Sequence, residues 1–580
     1  MESSQSRTSQ WPALSLAEAH ARLTAPGAPF ETEVRVIHGQ PTTVWKHAPA
    51  TLRDLFLTGA AWGDRTFIVY EDERVSFRAF ASAATALAHR LVRDGVCKGD
   101  RVAVAMRNLP EWPVAFYAAV LAGAIVTPLN AWWTGPELEY GLTDAGARVA
   151  IVDPERLDRV LPHLAQCPAL ARVYVARTDT VPDDARLARL ADVIGQPAQW
   201  QALPSLSLPT VPLDADEAAT LFYTSGTTGK PKGAVGTHRN ATSVTPAAQF
   251  SQMRNLLRRG QPLPEPDPTA PQKAALLAIP LFHVTGCMST LNGALATGAR
   301  LVLLHRWDPV RALTLIARER CTSAGGVPTI AWQLIEHPQR GDFDLSSLEN
   351  MHYGGAPASP ELVRRIGATL PHSAPGIGWG MTETSATFTS HSAEEYRHRP
   401  DSCGPALPIC EMKIVDGRGR TLPPGEVGEL MVRGANVVRG YWNKPEATAR
   451  TFVEGWMHTG DIARLDAEGY LYIVDRMKDM LIRGGENIYC IEVESALYEH
   501  PAVMDAALVG LPHRTLGEEP AAVASLRPGM HATEAELQDF VRTRLAAFKV
   551  PVRVAVRRDM LPRNANGKIL KAELRRLFEA

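Results

Sequence analysis

The chain has few cysteines and no CxxC motif. Its seven thiols are scattered from Cys97 to Cys490. That pattern suggests neither a disulfide framework nor a zinc site, and reduced cytoplasmic thiols are the expected state. The chain also lacks a charge bias: 61 Lys and Arg stand against 62 Asp and Glu. A broad nucleic-acid footprint is therefore not expected. Residues 1–25 show no charged-then-apolar leader pattern. The uncharged run from Trp112 to Thr134 is interrupted by Gly123, Pro128 and Asn130. It reads as a buried helix, a turn and a strand, not as a membrane span. A cytoplasmic protein without integral membrane contact is the expectation.

What is present is a chain of 580 residues, 45% hydrophobic and 21% charged, an ordinary balance for a soluble enzyme. It is too long for one core, so several subdomains are expected. Strand signals at Arg101–Ala105, Ile125–Pro128 and Val149–Val152 alternate with helical signals at Val114–Leu121 and Glu137–Asp144. That is a βαβ pattern with covered sheets, an α/β class. The proline-rich stretch 258–273 reads as a surface insertion. The last hundred residues form a compact α+β pattern. Thr533 and Glu536 have capping-box spacing, Val552, Val554 and Val556 alternate as in a half-buried strand, and Leu570, Leu574, Leu577 and Phe578 give the final helix a face.

The most informative segment runs Tyr223-Thr-Ser-Gly-Thr-Thr-Gly-Lys-Pro-Lys-Gly233, after the apolar run Thr220-Leu-Phe-Tyr. Glycines let backbone N–H groups approach a ligand, and hydroxyls and ammonium groups add donors. The sum is a cradle for phosphate oxygens. It is not a P-loop. Two residues, not four, separate Gly226 from Gly229, and Pro231 biases Lys230 away from helix. A flexible linker would need neither the lysines nor the strand in front.

This string resembles the nucleotide loop of the adenylate-forming (AMP-binding) superfamily, which includes acyl-CoA synthetases, luciferases and peptide-synthetase adenylation domains. The resemblance extends from about residue 50 to the end, with further motifs in family order. It implies a large N-terminal part (1–477) of two sheet–helix layers plus a small β-barrel, and a small mobile α+β part (478–580) hinged at Lys478. It implies ATP and AMP contacts at Thr224, Ser225, Gly226, Thr227, Thr228, Gly229 and Lys232. Tyr353-Gly354-Gly355-Ala356-Pro357 would lie against adenine and the acyl pocket. In Trp379-Gly380-Met381-Thr382-Glu383 the ring would sit by adenine and Glu383 would hold Mg²⁺. The family more often has Tyr or Phe where this chain has Trp379. Asp461 and Arg476 would take the ribose, and His283 would stand at the mouth of the acyl site. Gly484, Gly485 and Glu486 would line the tunnel for the thiol of coenzyme A.

Lys568, in Asn564-Ala-Asn-Gly-Lys568, would read as a solvated lysine without the resemblance. With it, Lys568 becomes the cation that bridges carboxylate and α-phosphate. The branch implied is the acyl-CoA synthetases: an acid–thiol ligase using a small-molecule carboxylic acid, ATP and CoA, for which a homodimer is an allowed assembly. The segments expected to line the acid pocket are Val284–Met288, Gly325–Ile330, Tyr353–Pro357 and Trp379–Ala386. They carry no Lys or Arg to pair a second carboxylate. A hydrophobic monocarboxylate is the expected substrate, either a medium-to-long fatty acid or an aryl-alkanoic acid. Three alternatives share features of the pattern: an adenylation enzyme serving a carrier protein or amine, a luciferase-like oxygenase, and a non-catalytic nucleotide-binding regulator. The last would have no need of Lys568 and Glu383.

Overall fold

The computed structural model describes residues 11–224, 230–265, 267, 269–356, 358–564 and 567–579. The chain builds two large sheets, a smaller antiparallel sheet and a C-terminal α+β unit. The first sheet has seven strands in the order Gly233–Thr237, Ala218–Tyr223, Ile125–Pro128, Arg101–Ala105, Ala147–Val152, Arg172–Val175 and Leu187–Arg189. It is parallel except where Ala218–Tyr223 (β1) pairs antiparallel with Gly233–Thr237 (β2). The segment 224–232 thus connects the strands of a hairpin. This agrees with the expectation that the loop does not run straight into a helix.

The second sheet has eight strands. Its central part includes Ser323–Gly326 (β3), Asn350–Gly354 (β4) and Ala374–Gly378 (β5), all parallel and in register. The helix Glu111–Leu121 is apolar on every side and all of its residues are buried. It shares one core with strand residues from both large sheets, among them Val102, Val104, Leu277, Leu301 and Leu303. A helix without a polar face is stable only when covered all round. Gly123, at φ +77°, turns the chain into Ile125–Pro128, so the uncharged run is a helix, a turn and a strand.

The antiparallel element expected as a small barrel is a six-stranded sheet. Two of its strands, Trp456–Leu465 (β6) and Tyr470–Arg476 (β7), pair antiparallel. The C-terminal unit follows with Leu481–Arg483 (β8) and Glu486–Ile488 (β9), joined in a hairpin and packed beside Gly517–Leu526, Val503–His513 and Arg553–Arg557. The capping box is formed: Glu536 N–H donates to Thr533 Oγ1 at 3.3 Å, and Thr533 N–H donates to Glu536 Oε2 at 2.7 Å.

Three local expectations shift. Arg258 closes the helix Ala247–Arg258 and is buried against Glu395, so the surface excursion starts after it. At the other end Gln272 donates to the carbonyls of Thr66 and Gly298, tying the excursion back to the sheet. In the last helix Leu574 and Phe578 are buried but Leu577 is 42% exposed, because α-helix gives way to a 3₁₀ turn at Arg576–Phe578 and rotates that position outward. Val556 is exposed as well, leaving Val554 as the buried residue of its strand. No helix among the described residues is long and apolar enough to cross a membrane.

Candidate active site

A cleft of about 3350 Å³ runs between the large sheets, the antiparallel sheet and the C-terminal unit. Single-ligand pockets are usually about 300–1,000 Å³. This one has room for several substrates at once.

The phosphate-loop residues Ser225, Gly226, Thr227, Thr228 and Gly229 lie outside the described residues. The flanks of the loop are fixed. Thr224 N–H donates to the carbonyl of Lys232 at 2.9 Å, and both residues line the cleft. The Lys232 ammonium sits 4.2 Å from the ring centre of Tyr441, and the Lys230 ammonium 4.9 Å from that of Tyr140. Tyr140 Oη donates to the Pro231 carbonyl at 2.9 Å. Asp144 anchors this corner by accepting from Tyr223 Oη at 2.9 Å and pairing with Lys444 at 2.7 Å.

Gly354 and Gly378 are in register at the ends of β4 and β5. A Cβ on Gly354 would come within 2.9 Å of the Gly378 carbonyl oxygen, and Gly355 has φ +74°, so both positions require glycine. Ala356 lines the cleft with them, while Pro357 lies outside the described residues. Gly380 is equally constrained, since any Cβ there would overlap the Ala386 carbonyl. Met381 N–H donates to Thr384 Oγ1 at 2.9 Å, setting the short 3₁₀ turn Thr382–Thr384 that presents Glu383.

Glu383 is 6% exposed. Its Oε1 accepts from Tyr441 Oη at 2.6 Å, and its carbonyl accepts from Val438 N–H at 2.9 Å. Asn436 Nδ2 clamps the next residues by donating to the carbonyls of Thr384 and Thr387, each at 3.0 Å. Between them Ser385 and Ala386 hold φ +54° and +93°, a conformation that side chains disfavour and that surrounding structure must impose. Tyr441 and Asn436 were missed by sequence reasoning. They lie in a stretch where neither a glycine cluster nor a charge pattern marks them.

Asp461 on β6 faces Arg476 on β7 in register, with Arg476 Nε 3.0 Å from Asp461 Oδ1. The indole N–H of Trp379 donates to Asp461 Oδ2 at 2.8 Å. Trp379 is also held edge-on by Phe388, with ring centres 5.6 Å apart. The ring therefore sits in a fixed place beside the carboxylate.

Lys568 enters this cleft from the C-terminal unit. Its backbone N–H donates to Asn564 Oδ1 at 3.0 Å. Arg563 braces the turn by donating to the Gly567 carbonyl at 2.6 Å and pairing with Asp505 at 2.7 Å. Gly567, at φ +74°, is packed so closely on Val327 that a Cβ would lie 2.7 Å from Val327 Cγ1. Burial, and then the Arg476 guanidinium, push the Lys568 ammonium down to about 8, while Asp461 pulls the other way. His283 is pushed down to about 4 by burial and by Lys568. Its Nδ1 accepts from Thr285 N–H at 3.3 Å, which leaves the ring proton on Nε2. Lys478 lines the same cleft, and burial and Arg476 lower its pKa too.

The remaining predicted residues divide, and of these Gly325–Ile330 line the cleft. Gly484, Gly485 and Glu486 form the exposed tip of the β8–β9 hairpin and do not line the cleft. Of Val284–Met288, only Val284 and Thr285 reach it. Cys287 and Met288 turn into the core, in a π-helical segment that starts at Thr285.

A strand hairpin whose loop ends in Lys230 and Lys232, a braced carboxylate, a paired Asp–Arg and a lysine carried in by a separate unit line one cleft, as suits a group-activating enzyme assembled from two parts. The comparisons name the family. Residues 55–442 match the AMP-binding enzyme family and residues 492–568 match the AMP-binding enzyme C-terminal domain. The chain belongs to that family. It is 36% identical over 493 residues to a feruloyl-CoA synthase of Amycolatopsis sp, covering 85% of this chain and 91% of the relative. It is 33% identical over 557 residues to a long-chain-fatty-acid–CoA ligase of Bacillus subtilis (strain 168), covering 91% and 94%. Among solved structures, an anthranilate CoA ligase in complex with anthranoyl-AMP superposes with a TM-score of 0.79 at 26% identity, covering 91% of this chain and 97% of that one. The chain is an AMP-forming acid–thiol ligase that uses ATP, Mg²⁺ and CoA.

Proposed function

We propose that the enzyme joins a hydrophobic monocarboxylic acid to coenzyme A through an acyl-adenylate, releasing AMP and pyrophosphate. The observation that carries this reading is Lys568. It reaches from the C-terminal unit into a cleft where its pKa responds to Arg476, Asp461, Lys478 and Glu383 together.

In the first half-reaction a carboxylate oxygen attacks the α-phosphorus of ATP, and the bond to the β-phosphate oxygen breaks. Residues 224–232 would hold the departing phosphates, with Lys232 at the end of the loop. Asp461 and Arg476 would hold the ribose, and Trp379 would flank the adenine. Lys568 would stabilise the charge that grows on the α-phosphate oxygens. Glu383 suits Mg²⁺. It is one braced carboxylate facing a polar cleft, and no cluster of three or more acidic, His or Cys side chains exists among the described residues. A metal bound mainly by phosphate and water needs no more than that. When bound, it neutralises charge on the leaving phosphates.

In the second half-reaction the thiol of CoA displaces AMP from the acyl carbon. In this structure Lys568 is inside the cleft and the 484–486 hairpin is outside it, an arrangement suited to the first half-reaction. Rotation about Lys478 would exchange the two, with residues 1–477 and 478–580 as the moving parts. Sequestering the adenylate from water protects a reactive anhydride meanwhile.

The experiment is a panel of fatty and aryl acids, following AMP release with and without CoA. The reading expects AMP release that needs a hydrophobic acid and is accelerated by CoA. Turnover of amino acids only, or of acids with an amine but not with CoA, would overturn it.

A further inference from the structure

The sheet wall of the cleft proposed to receive the acid is rich in glycine. Along β3, β4 and β5, Ala324, Met351, Tyr353 and Ile377 point into the core on one side of the sheet. Of the alternate positions, Ser323, Gly325, Asn350, His352, Gly354, Ala374 and Gly378 line the cleft, and Gly376 lies beneath the His352 ring. Register places Gly325, His352 and Gly376 side by side on the three strands. The His352 ring is therefore flanked by glycine on both neighbouring strands. The His352 imidazole packs on Gly376, so closely that any Cβ at Gly376 would overlap the ring.

His352 is exposed to the cleft, yet it has no hydrogen-bond partner among the described residues. The protein enclosing the cleft around it disfavours the charged ring and pushes its pKa down to about 4. At neutral pH it is an uncharged ring with one N–H donor and one lone-pair acceptor, neither used by a described residue. It sits two residues back along β4 from Gly354, about 7 Å deeper than the strand ends that face the nucleotide. The pocket windows expected from sequence began at Tyr353 and missed it by one position.

We infer that His352 is a specificity-determining residue that hydrogen-bonds a hydroxyl on the far end of a planar aryl acid. The glycine-rich wall around it suits an aromatic ring better than a round alkyl chain. The imidazole then finds the partner that no described residue supplies. An acid lacking the hydroxyl would leave His352 dehydrated and unpaired, the costlier half of the hydrogen-bond balance. This rests on the ligase reading above and narrows its substrate class.

The test compares kcat/KM for 4-hydroxycinnamate with that for cinnamate, with decanoate as a third acid, in the wild type, His352→Leu and His352→Gln. The wild type should favour the hydroxylated acid by at least about tenfold. The ratio should fall to about one in His352→Leu, mainly through KM for the hydroxylated acid, and stay intermediate in His352→Gln, which can still hydrogen-bond. A ratio tolerates general damage to the enzyme, and His352→Gln decides alone if the leucine variant does not fold. A wild-type ratio near one, a ratio unchanged by both substitutions, or use of decanoate but of neither aryl acid would overturn the inference and leave the ligase reading intact. If no acid supports CoA-dependent AMP release, both fall.

Discussion

The indole N–H of Trp379 donates to the carboxylate of Asp461 at 2.8 Å, joining two segments 82 residues apart. Trp379 is thus both a flat ring in the cleft and the clamp on the carboxylate proposed for the ribose. Phe in its place would keep the ring and lose the clamp. Trp379→Phe should raise KM for ATP by roughly three- to tenfold, the worth of one hydrogen bond, with a smaller change in kcat. Initial rates at varied ATP check this, and an unchanged KM would dissociate the clamp from nucleotide binding.

Tyr441 offers a related test on the metal side. Its hydroxyl donates to Glu383 Oε1 at 2.6 Å, inside the protein. Tyr441→Phe frees the carboxylate to rotate. The Mg²⁺ concentration for half-maximal activity should rise several-fold, and excess Mg²⁺ should restore much of the rate. A metal titration of both proteins decides it.

Lys568 supplies the pH dependence. Burial lowers its pKa to about 8, so the charged ammonium is present below that value and is lost as pH rises through it. The pH profile of kcat/KM for acid-dependent pyrophosphate release, which reports the free enzyme, should fall on the alkaline side near pH 8. In Lys568→Ala the residual activity should lack that limb.

Stability rests partly on a buried ion cluster. Glu395 pairs with Arg254 at 2.7 Å and with Arg258 at 2.6 Å, and all three side chains are essentially inaccessible. Burial alone would raise the Glu395 pKa, but Arg254 and His391 hold it far below the usual carboxylate range. Its contribution to stability is therefore present above the unfolded-state pKa of 4.5 and is lost as pH falls below it. Glu395→Gln leaves two buried guanidiniums uncompensated and should cost about 3–5 kcal/mol. Urea unfolding at neutral pH measures the loss, and the variant should show a flatter acid limb of stability.

Which parts of this site could be read from the sequence follows from how locally each is encoded. The family was legible because glycines, hydroxyls and lysines are contiguous from Tyr223 to Gly233. The helix–turn–strand at 111–128 was legible because its apolar run is broken by one glycine. Contacts set by tertiary packing were not legible. Nothing near Tyr441 announces that its hydroxyl meets Glu383, and nothing near Trp379 announces Asp461. Lys568 was readable only through family resemblance, since a lysine after Asn-Gly has no local mark of burial. His352 was hidden for a different reason: its meaning comes from Gly325 and Gly376, which are glycines on neighbouring strands. Leu577 fits a helical face on paper, but the last turn tightens and rotates it into solvent.

The central claim is that Lys568 serves adenylation and leaves for thioester formation. The most direct measurement separates the two half-reactions in Lys568→Ala. Acid-dependent pyrophosphate release is followed in one assay, and conversion of a presynthesised acyl-AMP with CoA in the other. The account predicts a loss on the order of 10²–10³ in the first, and near wild-type rates in the second. Equal losses in both, or unchanged pyrophosphate release, would contradict it.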